Sequence, residues 1–190
     1  MVERLINQLM GIIVDPVSTL SEISREKPVG WGLAVYILVV LLSTITSNGD
    51  IPSEFMPWII LILIPAVPVI LFINVGIYQI FARLFGGRGN FWGLFSGVSF
   101  SAFVYIFMPP LNLLSQVGGM GAGLVTGILI FGLGIWNLVL DVIAVRETHE
   151  LSTGMSVLTV LLPLVVFTII GVILFIVGAI TLFMFFSTQI

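Results

Sequence analysis

Residues Met155–Ser187 read MSVLTVLLPLVVFTIIGVILFIVGAITLFMFFS and contain no Asp, Glu, Lys or Arg. An apolar run beyond about 18 residues is long enough to cross a bilayer as a helix. The rest of the chain has the same character. Of its 190 residues 59% are hydrophobic and 8% charged, whereas soluble domains average about 45–50% and about 25%. Four further apolar segments precede the last one, at about 30–47, 57–83, 91–115 and 121–145. Each can span roughly 30 Å of hydrocarbon at about 1.5 Å per residue. The expected fold is therefore all-α: a polytopic membrane bundle of five transmembrane helices over residues 28–190, preceded by an amphipathic amino-terminal segment over residues 1–27.

Composition also excludes several functions. The net charge is -3, and no block of like charge is present to track nucleic acid. With no Cys, disulfides, thiolate nucleophiles, Cys-ligated metals and S-palmitoyl anchors are all ruled out. Glu3, Asp15 and Glu22 interrupt the first 27 residues, unlike a secretory signal, so the amino terminus is expected to be retained. No cofactor is implied.

The six basic residues predict the threading. Arg4, Arg25 and Lys27 precede the first span, Arg83 and Arg88 follow the second, and Arg146 follows the fourth. The alternate connectors and the carboxyl end carry none. By the positive-inside rule, five spans then place the amino terminus in the cytoplasm and the carboxyl end outside a cell membrane. Turn chemistry falls at the breaks, in Ser47-Asn48-Gly49-Asp50, Gly86-Gly87-Arg88-Gly89-Asn90 and Leu151-Ser152-Thr153-Gly154. Pro57, Pro65 and Pro68 predict kinks in the second segment, and Pro109-Pro110 predict that the third ends or breaks there.

Ahead of the first span, Val2, Leu5, Ile6, Leu9, Met10 and Ile13 recur at helical spacing, with Glu3, Arg4, Asn7 and Gln8 on the other face. Asp15-Pro16 reads as an N-cap and a first-turn proline opening a second short helix through Val17, Leu20 and Ile23, which Lys27-Pro28 ends. Two placements satisfy this pattern equally: lying in the inner membrane interface, or packing against the cytoplasmic end of the bundle. Docking of protein partners is a third.

Few residues in the spans carry chemistry. Asp141 stands near the cytoplasmic end of the fourth span, with Asn137 one turn earlier on the same face. It reads either as a proton or cation site or as an interface acid that pins the helix end. Arg83 or Arg88 from the neighbouring connector are candidate counter-ions, while Arg146 meets it only obliquely. Together Arg83, Arg88 and Arg146 form a candidate cytoplasmic charged cluster. Asn74, Tyr78 and Gln79 give the second span a polar patch, read as interhelical glue or as a substrate lining.

Gly93, Gly97 and Ser101, and likewise Gly119, Gly123 and Gly127, recur every four residues; such small faces serve helix packing within a chain or in a homo-oligomer. Ser96, Ser99 and Ser101 lack the base that an intramembrane serine protease needs. His149 falls in Arg146-Glu147-Thr148-His149-Glu150, expected to be a solvated turn and not a zinc motif. Gly86-Gly87-Arg88-Gly89 lacks the Lys-Ser/Thr of a phosphate loop and reads as a tight turn.

Several of these pieces resemble prokaryotic Yip1-domain proteins: Asp15-Pro16 with Thr19-Leu20 and Ile23, Gly86-Gly87-Arg88-Gly89 before Phe91, and Trp136-Asn137-Leu138-Val139-Leu140-Asp141 through Arg146-Glu147-Thr148-His149-Glu150-Leu151-Ser152. The resemblance implies a five-helix membrane domain with a cytoplasmic amino terminus, and it spans nearly the whole chain. Eukaryotic relatives in that family are associated with Rab GTPases and vesicle trafficking. They carry a longer cytosolic amino-terminal region and an Asp-Leu-Tyr-Gly-Pro motif, neither of which is present here, so that role is not carried over. No catalytic or ligand residues are inherited.

The resulting expectation is a non-enzymatic membrane scaffold or adaptor that organises protein partners or lipids. Its alternative is a transporter of a small molecule, ion or lipid, using Asn74, Tyr78 and Asp141. A cavity within the membrane lined by these residues favours the alternative; a dry bundle with Asp141 facing the cytosol weakens it. Membrane lipids, a membrane or cytoplasmic protein and a second copy of the chain are the expected partners.

Overall fold

The computed structural model describes residues 2–47 and 54–187. Asn48, Gly49 and Asp50 of the expected first turn lie outside the described residues. Two short helices, α1 (Val2–Val14) and α2 (Pro16–Glu26), lead into the first span, α3 (Val29–Ser47), and the second, α4 (Met56–Leu84). The third span is broken: α5 (Phe91–Ser101) passes through a 3₁₀ segment (Ala102–Phe107) into α6 (Met108–Val117). The fourth and fifth are α7 (Gly119–His149) and α8 (Thr153–Ser187). Five stretches are long and apolar enough to cross a membrane.

Side-chain exposure shows which surfaces need lipid. Ile128, Phe131 and Phe175 are 70% exposed or more, and apolar surface on this scale does not face water in a soluble monomer. The spans are unequal. In the third, 61% of the most apolar window is buried, against 11–22% in the other four, so it is the central helix. Hydropathy hides this, because every face of every span is apolar.

The four-residue repeat of small side chains explains how the third span takes the centre. A Cβ built on Gly97 would sit 3.1 Å from Ala144 Cβ of α7, and one on Gly93 would sit 2.6 Å from the Ser24 carbonyl of α2. Those backbones are close because the stripe carries no bulk. The matching stripe Gly119, Gly123 and Gly127 has nothing within 4 Å of such a Cβ. It faces out.

The prolines behave according to their position. Pro65 and Pro68 lie inside α4, which runs unbroken from Met56 to Leu84. The third span does break beside Pro109-Pro110 and continues past them. These open α6, where a missing N–H costs nothing, and the irregularity falls just before them, in the 3₁₀ segment. At its start, Phe91 is tied to α4 by a ring contact with Phe72, centroids 4.8 Å apart.

Asp15 caps α2 by accepting from the Ser18 amide (3.4 Å), Pro16 occupies the first turn, and Lys27 closes the helix in the left-handed region with its N–H on the Ile23 carbonyl (2.9 Å). With α1 it forms a helical hairpin whose arms are joined by Gln8 to Glu26 (3.2 Å) and by an Arg4–Glu26 ion pair. Leu20 and Ile23 of α2 and Ile12 of α1 are fully buried. Ser24 lies beside Gly93, and Leu20 beside Gly97, so α2 runs antiparallel along α5 and also packs on α7. α1 touches α5 and the 3₁₀ segment. The apolar stripe is thus divided: one part enters the bundle, while Ile6, Met10, Ile13, Val14 and Val17 remain exposed. All six basic residues lie at this capped end, and α8 runs away from it.

Candidate functional site

Asp141 sits two turns inside the end of α7 and is 6% exposed. Ionised carboxylates in such surroundings are costly unless hydrogen-bonded. Two side chains meet that demand. Ser101, the last residue of α5, directs its hydroxyl at Oδ1, and Asn137 Nδ2 donates to Oδ2 at 3.2 Å. The Ser101 oxygen also lies 2.9 Å from the Val98 carbonyl, so a single hydroxyl proton faces two acceptors. Asn137 Oδ1 is buried with no hydrogen-bond partner among the described residues.

Beside this group is a cavity of about 260 Å³, lined by Asp141, Asn137, Asn74, Tyr36 and Tyr105 between otherwise aliphatic walls. It lies below the capped end. Gly32, one turn into α3, packs against Ser99 and Phe100 of α5, which places Ser101 and Asp141 just inside the level where α3 begins. Tyr36 follows Val29 by seven residues, so the cavity reaches roughly 10 Å further in at about 1.5 Å per residue. Drug-sized ligands occupy about 300–1,000 Å³, so this space suits several waters or a small ion better than a lipid.

The structure brings together Asn74, Asn137 and Asp141 from the sequence-derived residues and leaves others apart. Tyr78 lines a separate groove of about 350 Å³ between α4 and α8, bounded by Asn74 and Pro163. Asn74 borders both spaces. Gln79, one position round the helix from Tyr78, turns toward the capped end. Arg83, Arg88 and Arg146 do not pair with Asp141 among the described residues; its partners are Ser101 and Asn137, both neutral. In the sequence Ser101 was legible as a small packing residue and as one of three serines lacking a base, not as a partner of Asp141.

His149 corrects the expectation of a solvated turn. It is the last helical residue of α7, 1% exposed, with Nε2 3.0 Å from Gln79 Oε1. Gln79 Nε2 donates to the Gly89 carbonyl (3.3 Å). Because that carbonyl only accepts, Oε1 must face the ring, and Nε2 of His149 carries the proton. The Arg88 N–H adds a bond to the His149 carbonyl (3.2 Å). Gly89 is tight against Thr148 and His149, leaving no room for a side chain. Together these contacts hold the α4–α5 connector against the end of α7. Of the candidate charged cluster, Arg88 and Arg146 line a cleft above this junction and Arg83 does not. Arg146 pairs with Glu147 (2.8 Å).

A family model described as the Yip1 domain matches residues 10–176. The chain belongs to the Yip1 family. No curated protein and no solved structure matches it. For this Yip1-domain protein the matched span runs from the close of α1 into α8, and so includes α2, the Asp141 cavity and the Gln79–His149 junction but not the first two turns of α1. The Yip1 assignment agrees with a multi-pass membrane bundle and passes on no reaction.

Proposed function

We propose that the protein is a non-enzymatic membrane scaffold that holds its amino-terminal hairpin in a fixed pose for partners at the cytoplasmic face. The supporting observation is the hairpin itself: Ile12, Leu20 and Ile23 anchor it in the bundle while Ile6, Met10, Ile13, Val14 and Val17 stay outside. An ordered apolar edge beside charged residues suits contact with another membrane protein or with lipid. The positive-inside rule assigns the capped end to the cytoplasm. Family membership is consistent with an adaptor role. The test is co-purification from membranes of the wild type and of an Ile13→Asn/Val17→Asn variant. A partner or lipid preference retained by the first and lost by the second is expected. No reproducible partner and no lipid preference in either would end this reading.

A second reading, transport of a small solute or ion, is favoured by the cavity that Asn74, Asn137 and Asp141 line. Its size argues against a lipid as cargo. Flux into liposomes that falls at least tenfold in Asp141→Asn supports it; equal flux with and without the protein removes it.

A further inference from the structure

One further cleft plays no part in either reading. It has about 660 Å³ and opens at the capped end between the close of α2, the α4–α5 connector and the close of α7. Four of the six basic residues of the chain line it, Arg25, Lys27, Arg88 and Arg146, with Glu147 and Glu150 as the carboxylates. Glu147 is committed to Arg146. Arg25, Lys27 and Arg88 have no carboxylate within salt-bridge distance among the described residues, so three unpaired cations from two opposed segments share one space with a single unpaired carboxylate, Glu150, and leave it net positive.

The fold forces them there. Lys27 is fixed by the left-handed close of α2, and Arg88 by its backbone bond to His149. The cleft wall also includes Gly89 and Asn90, where α5 begins; the Asn90 side chain already accepts from the Gly93 N–H (2.7 Å), and the remaining first-turn amides favour negative charge. The Thr148 hydroxyl oxygen, on the same wall, has no hydrogen-bond partner among the described residues.

Depth identifies the ligand class. Lys27 immediately precedes Pro28 and the start of α3, and Ser24 is level with Gly93, about one turn outside the Gly97–Ala144 contact. Trp31 and Trp92, in the first turns of α3 and α5, are 41% and 51% exposed, as in the aromatic belt at a membrane–water boundary. The cleft therefore lies at headgroup level. We infer that it binds a phosphate group, held by Arg25, Lys27 and Arg88, with the phosphate of an anionic lipid as the source that its depth favours. Neither functional reading is required for this.

The test uses the full-length purified protein in nanodiscs of phosphatidylcholine with and without phosphatidylglycerol or phosphatidic acid, with lipid retention after detergent extraction read by native mass spectrometry. Anionic lipid should be retained about 10- to 100-fold over phosphatidylcholine, since each basic residue near such a surface adds roughly a factor of five. The Arg25→Gln/Lys27→Gln/Arg88→Gln variant should lose that preference. Arg83→Gln, which removes a capped-end charge outside the cleft, and Arg88→Lys should keep most of it. Displacement of bound lipid by millimolar inorganic phosphate or glycerol phosphate would make a soluble phosphate compound the source; its failure would leave the lipid. Equal retention of neutral and anionic lipids together with no binding of soluble phosphate would overturn the inference. So would an equal loss in Arg83→Gln and the triple variant.

Discussion

Ser101 at the end of α5 and Asp141 of α7 are forty residues apart in sequence and hydrogen-bonded inside the bundle. The contact joins the broken third span to the fourth at the point where α5 gives way to the 3₁₀ segment. Removing the Ser101 hydroxyl strips a buried carboxyl of one of its two side-chain donors. Such a loss costs about 1–3 kcal/mol, more than the roughly 0.6 kcal/mol of an average interhelical bond in a membrane. Ser101→Ala should therefore lower the unfolding midpoint in detergent. Pairing it with Asp141→Leu, which removes the group left unsatisfied, should cost less than the two changes summed. Strict additivity would show that the residues do not interact.

The two glycine stripes should respond in opposite ways. Gly97→Leu forces a side chain into Ala144 and drives α5 from α7, an overpacking cost of about 1–3 kcal/mol or more. Gly123→Leu enters open space and should leave stability within about 0.5 kcal/mol. Thermal melts of the two purified variants decide this, and a matching loss in both would contradict the packing described.

Gln79→Leu leaves His149 Nε2 and the Gly89 carbonyl without their mutual partner, and should free the connector locally. Hydrogen exchange at residues 86–90 should quicken by about tenfold or more, in line with roughly 1–3 kcal/mol for unmet buried polar groups, while α5 and α7 stay protected. Unchanged exchange there would mean that the connector is held by its backbone bonds alone.

Orientation can be read by thiol labelling against a zero background, because the chain has no Cys. Glu54→Cys lies at the end opposite the cap and should react with an impermeant maleimide added to intact cells. Gly154→Cys, at the capped end, should react only after permeabilisation. The reverse pattern would invert the topology, and labelling of both from outside would break the five-span threading.

Helix ends were largely legible. Asp15-Pro16 and Lys27-Pro28 bounded α2 because a cap and a proline act on their immediate neighbours, and the span limits fell within a few residues. Exceptions have local causes. Glu150, not Gly154, takes the left-handed position after α7, so α7 runs four residues beyond the expected span end and carries His149 with it. Asn137 and Asp141 could be paired by their one-turn spacing. Neither Ser101 nor the Gln79–His149 contact could, since nothing local links positions 40 and 70 residues apart.

Membrane residence, five spans and the gathering of every basic residue at one end followed from the amino-acid sequence by itself. Transfer of apolar surface to lipid and the exclusion of charge from it add up along the chain, whatever touches what. Only the tertiary structure made the third span central, divided the amino-terminal stripe between bundle and surface, and set Ser101 beside Asp141. In a chain apolar on nearly every face, hydropathy cannot say which faces meet. Close packing of small side chains and the partnering of a few polar groups decide that, and both depend on neighbours remote in sequence.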